Sequence, residues 1–175
     1  WLKDGSVLIS DGKILEVTNS DLAVIGAKVV DAKGMYIVPG FVAMNVHGGG
    51  GHDFKECTEE AFHSAIAAHM KHGATTLFPT LSSSPKELIC KAVSICEKLM
   101  AEKDGPVLGL HVEGPYLNTK MAGNLYDVKD PDEEEYRSIL ESTNCIKRWD
   151  ASPELPGAHD FARYLRSKDI LAAIK

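Results

Sequence analysis

The stretch LGLHVEGPYLN, residues 108–118, breaks an apolar run with His111 and Glu113, two residues apart, before a Gly-Pro turn. A carboxylate at the end of a buried strand is costly unless something positive meets it. Three other apolar stretches end in polar residues: Asn45 and His47, then Thr80, then Ser152 and Glu154. Strand alternation puts Asn45 with His47 on one face, and His111 with Glu113 on another. Imidazole nitrogen and carboxylate oxygen are normal zinc ligands. The same groups also serve as hydrogen-bonded core residues, and Glu113 could simply pair with a buried lysine. His63, His69 and His72 lie on or beside a helix, and His159 near a helix start, so packing or solvent accounts for them. Four successive strands delivering polar groups to one rim favour a site, and spacing alone reaches no specific reaction.

The elements that would position these residues follow from the pattern. SVLISDGKILEV reads as two short strands joined by the Asp11-Gly12 turn, since Asp-Gly supplies the positive φ angles of a tight hairpin. AKVVDA is a further strand candidate. From Tyr36 the rhythm changes to alternating strands and helices. TEEAFHSAIAAHMKHG is a helix capped by Thr58 and ended by Gly73, with Phe62, Ala65 and Ile66 on its buried face. SSPKELICKAVSICEKLMAEKDG is a second, with Ser84 as cap, Pro85 at the first helical position and Glu87 completing a capping box. A short acidic helix opens at Asp130-Pro131, CIKRWDAS is a strand, GAHDFARYLRSKD a helix, and ILAAIK begins another strand. This alternation implies an α/β fold with a parallel sheet under covering helices, either doubly wound or a (β/α)8 barrel. The order alone leaves both open. No G-x-G-x-x-G follows a strand, and the glycines at 48–51 lead to His52-Asp53-Phe54, so they read as a flexible loop clearing space over the sheet.

The composition excludes some classes. The 175 residues are 44% apolar and 25% charged, with a formal charge of −6, which gives no basic footprint for nucleic acid. No apolar run reaches membrane-span length and no signal peptide precedes the first strand, so no membrane partner is expected. Cys57, Cys90, Cys96 and Cys145 are scattered without C-x-x-C spacing and read as reduced thiols of a cytoplasmic protein. The start at Trp1 without methionine suggests a trimmed amino end.

DGKILEV followed by VVDAKGMYIVPGFVAMNVHGGG resembles the entry into the metal-dependent amidohydrolase superfamily. HGGGGHDF, GATTLFPT, GLHVEGPYLN and SPE, in this order and spacing, resemble its N-acetylglucosamine-6-phosphate deacetylase branch. The resemblance implies the first part of a (β/α)8 TIM-like barrel over residues 37–175, ending within strand five, preceded by a small β segment over 1–36. It implies a divalent metal, zinc, held by Glu113, with His47 as a further ligand. It also implies a small-molecule amino-sugar phosphate as substrate, glucosamine 6-phosphate and acetate as products, and a homodimer. The general base and two histidine ligands are expected beyond Lys175, so these residues alone are expected to be inactive.

Where the family carries Lys-Gly-Ala/Thr-His, this chain has Ala122-Gly123-Asn124-Leu125. A leucine side chain donates no hydrogen bond, so Asn124 and Leu125 would meet the sugar through their backbone. Two-metal members carry His-x-His where this chain has Asn45-Val46-His47, which implies one tightly held metal, and a second held weakly by His47 and a bridging Glu113 only at high metal concentration. The other readings are a related amidohydrolase acting on another N-acyl or cyclic amide, and a non-catalytic fragment or binding module.

Overall fold

A computed structural model describes residues 1–120, 123 and 127–175. The chain divides into two compact units, Trp1–Pro39 and Gly40–Lys175.

In the first unit, β1 (Ser6–Ser10) and β2 (Lys13–Thr18) form an antiparallel hairpin. Asp11 (φ 50°) and Gly12 (φ 71°) make its turn, as the Asp-Gly pair requires. The expected strand at AKVVDA does not form: residues 27–32 lie outside any strand, and Val29 and Val30 are exposed. β-branched residues fit a pleated surface but do not create a neighbour to pair with.

The second unit is built on a five-stranded parallel sheet. Its strands are β3 (Phe41–Val46), β6 (Ala74–Ser82), β7 (Leu110–Glu113), β8 (Ile146–Ala151) and β9 (Leu171–Ile174). They lie side by side in chain order, β3-β6-β7-β8-β9. A doubly wound sheet reverses direction at a switch point. A sheet that keeps adding strands on one side curls toward a barrel, which decides between the two architectures left open by the sequence.

Helices α1 (Glu59–Met70), α2 (Lys86–Met100), α3 (Glu133–Ser142) and α4 (Ala158–Ser167) alternate with these strands. Thr58 caps α1 as expected, its hydroxyl accepting from Ala61 N at 3.2 Å, a contact worth about 1 kcal/mol. The α2 cap differs. Ser84 turns back to donate to the Ser82 carbonyl at 2.7 Å, and Pro85 takes the cap position without a side-chain bond. Apolar faces of the helices meet the outward side of the sheet, where Leu77, Leu81, Leu110, Val112 and Trp149 are buried with Phe62, Ile89 and Phe161.

The glycines after β3 form structure rather than a free loop. β4 (Gly48–Gly49) and β5 (His52–Asp53) pair as a short hairpin that leads into a 3₁₀ turn, Phe54–Glu56. At Gly48 an added Cβ would collide with the His52 carbonyl, and at Gly50 (φ 61°) it would press on Ser64 of α1. His69 of α1 fastens the hairpin from below, its Nε2 2.9 Å from the Gly48 carbonyl oxygen.

Candidate functional site

Register decides which side chains share the inner face of the sheet. Thr80 pairs with His111 and His111 with Arg148, while Ser82 pairs with Glu113 and Glu113 with Asp150. Alternation turns Leu81, Val112 and Trp149 to the helices, leaving the polar residues on the opposite face.

Glu113 has two nitrogen partners. Its Oε1 lies 2.7 Å from Lys175 Nζ, and its Oε2 lies 3.0 Å from His47 Nε2. The Glu113 side chain is 4% exposed and that of His47 45%. The His47 ring, more than the lysine, outweighs burial and holds the Glu113 carboxyl down at about 2. Glu113 in turn raises the pKa of His47. Although His47 Nε2 is near, it lies out of line for a hydrogen bond, so Oε2 is buried without an aligned donor.

Such an oxygen beside an imidazole nitrogen suits a shared cation, and both atoms are of the kind zinc accepts. The donor set is partial: among the described residues no group of three or more His, Cys, Asp or Glu gathers to hold an ion. His47 and Glu113 fit part of a metal centre, with further ligands to come from elsewhere.

Behind them lies a buried network. His111 Nδ1 is 3.0 Å from Thr80 Oγ1, and its Nε2 is 3.0 Å from Asp150 Oδ1, again off the line of a hydrogen bond. Arg148 grips Asp150 with Nε on Oδ1 at 2.8 Å and Nη2 on Oδ2 at 3.0 Å. Burial pushes the Asp150 pKa up, but His111 and Arg148 together overcome it and leave it lowered. Sequence reasoning did not single out Arg148 or Asp150. Their signal was present, because Arg148-x-Asp150 repeats on β8 the spacing of His111-x-Glu113 on β7.

The remaining candidates divide. Asn45 lies in an irregular part of β3 and is exposed. Ser152 and Glu154 knit loops: Ser152 Oγ accepts from Asn118 N at 2.9 Å and donates to the Lys175 carbonyl, and Glu154 accepts from Asn118 Nδ2 at 2.7 Å. Trp149 Nε1 donates to the Gly114 carbonyl at 2.8 Å, tying down the turn that follows Glu113. Asn124 and Leu125 fall outside the described residues.

Comparison with known proteins bears on this arrangement. No family model matches the chain. N-acetylglucosamine-6-phosphate deacetylase of Haemophilus influenzae is 33% identical over 125 residues, covering 70% of this chain and 32% of the relative. The Homo sapiens enzyme of the same name is 26% identical, covering 99% of this chain and 44% of its own. A crystal structure of the Mycobacterium smegmatis deacetylase superposes with a TM-score of 0.85 at 29% identity, over 97% of this chain and 45% of that one. The chain is a homologue of the amino-terminal half of N-acetylglucosamine-6-phosphate deacetylase. It spans less than half the length of these deacetylases. A mutant of the Mycobacterium smegmatis deacetylase has been solved in complex with N-acetyl-D-glucosamine-6-phosphate. The five strands in chain order form a curled parallel half-barrel sheet, and the chain superposes on these deacetylases over that sheet.

Proposed function

We propose that this chain supplies the first half of a metal-dependent deacetylase that hydrolyses N-acetylglucosamine 6-phosphate to glucosamine 6-phosphate and acetate. Residues 1–36 belong to its small β segment and 37–175 to the barrel. The observation that carries the reading is the buried, ionised Glu113 carboxylate, facing His47 Nε2 at 3.0 Å with no aligned donor on Oε2. Homology to deacetylases over nearly the whole chain supports the choice of reaction.

Glu113 would hold one divalent metal, zinc, tightly, and His47 would share a second, weaker one with it. A metal held there would supply polarisation of the acetyl carbonyl and a water acidic enough to react near neutral pH. Glu113 remains a carboxylate throughout that range, because its pKa lies near 2. Asp150 is not the proton acceptor: both of its oxygens are occupied by Arg148. The resemblance would bring the backbone of Asn124 and Leu125 to the sugar. Free thiols at Cys57, Cys90, Cys96 and Cys145 support a reducing, cytoplasmic setting. Among the described residues no helix is long and apolar enough to cross a membrane. The resemblance implies a homodimer.

The test is acetate release by the full-length protein with zinc, using N-acetylglucosamine 6-phosphate, unphosphorylated N-acetylglucosamine and a cyclic amide. Release from the first substrate alone is expected. Turnover of the cyclic amide in preference to it would place the protein in another branch of the superfamily.

A further inference from the structure

We infer that Thr80, backed by His111 and Asp150, is a positioning residue that holds His47 against Glu113. This rests on the proposed function only for its consequence, metal binding; the geometry stands without it.

The starting point is a fault in the ladder beside the site. Ala43 of β3 pairs with Leu77 of β6, yet Val46 pairs with Pro79, so three steps along β3 match two along β6. The extra residue is a bulge, a device that bends a strand and re-aims a side chain at a barrel rim. It lies just before Val46, the residue that precedes His47. Such a site needs an alternative acceptor for a displaced strand N–H, because an unpaired buried amide is costly. Val46 N finds the Thr80 hydroxyl at 2.9 Å.

Thr80 is itself held. Its single hydroxyl proton has two acceptors within reach, His111 Nδ1 at 3.0 Å and the Phe78 carbonyl at 3.3 Å. The histidine decides between them. The Asp150 carboxylate, fixed by Arg148, faces Nε2 and electrostatically favours the proton there. Nδ1 is then left as a lone pair, and it accepts from Thr80. With its proton committed, the Thr80 oxygen turns a lone pair to Val46 N–H. A directed series therefore runs from Val46 through Thr80 and His111 to Asp150 and Arg148, crossing β3, β6, β7 and β8. Thr80, His111 and Asp150 are each fully buried. Apolar residues of similar volume would hold a sheet together as well or better. A polar series that ends one residue from His47 is better explained by where it places that ring.

The experiment compares Thr80→Val, which removes the hydroxyl and keeps the shape, with Thr80→Ser, which keeps the hydroxyl. In the metal-free full-length protein, the His47 ring resonances should shift in Thr80→Val and return in Thr80→Ser. Zinc affinity should fall by roughly 10- to 100-fold in Thr80→Val and recover in Thr80→Ser. In the unsubstituted protein, nitrogen-15 spectra should show His111 protonated on Nε2 and bare on Nδ1. Unmoved His47 signals in Thr80→Val, or a His111 proton on Nδ1 alone, would overturn the inference. If Thr80→Val does not fold, the His111 spectrum decides. If the unsubstituted protein binds no zinc, the proposed function fails, while the His47 and His111 signals still judge the positioning.

Discussion

Two histidine–carboxylate pairs, each with a nitrogen and an oxygen 3.0 Å apart, draw on residues two apart along β7 and live in different surroundings. His47–Glu113 joins a half-exposed ring to a buried carboxylate. His111–Asp150 is buried on both sides, at 0% and 1% exposure. In the inner pair the other ring nitrogen faces Thr80 and the carboxylate is closed by Arg148. Each pair leaves one buried atom without an aligned partner, His111 Nε2 and Glu113 Oε2, but only the outer pair opens to solvent. Distance alone does not separate a ligand pair from a structural one; the partners around it do.

The largest effect expected from disturbing this comparison is on the outer pair. Glu113→Gln keeps the shape and removes the charge. Acetate release by the full-length protein should fall at least about 100-fold, beyond what loss of a supporting residue costs. Circular dichroism should show the fold retained. Full activity in that variant would make Glu113 structural and erase the distinction between the pairs.

The inner pair should answer in stability first. His111→Leu removes the Thr80 hydroxyl's partner on Nδ1, and an unpaired buried polar group costs about 1–3 kcal/mol. A denaturant midpoint unchanged from the parent protein would show that the network contributes nothing to the fold.

Acidity sharpens the same contrast. The Asp150 pKa is lowered from its ordinary 3.8, so its contribution to stability is complete above that value. The contribution is lost as pH falls below 3.8 and through the folded-state pKa. Asp150→Asn should therefore be less stable than the parent near neutrality, and the gap should narrow on acidification from pH 5 to pH 3. A constant gap measured by denaturant titration at several pH values would contradict the assignment.

What was legible in the sequence was what local chemistry controls. Thr58 announces the start of α1, Asp11-Gly12 the hairpin, and His111-x-Glu113 the polar end of a strand. The strand order became visible only with the register, since β-α alternation is common to open sheets and barrels. Strict period-two reading put Asn45 and His47 on one face, and the bulge before Val46 breaks that assumption. The glycines at 48–51 read as slack chain, because nothing in their own sequence shows Ser64 and His69 of α1 lying against them. The chain also gives no hint that Lys175 meets Glu113 across 62 residues.

The smallest effect concerns strand β3. Asn45 is a poorer zinc ligand than imidazole, so one tightly held metal per chain is expected, and Asn45→His should raise the count. An unchanged count in Asn45→His would mean that the bulge keeps position 45 out of reach of the pair.

The most direct test of the account is elemental analysis of the full-length protein and its Glu113→Gln variant after extensive dialysis. The account predicts one zinc per chain in the parent and close to none in the variant. Equal metal content in the two would contradict it, because Glu113 would then be no ligand.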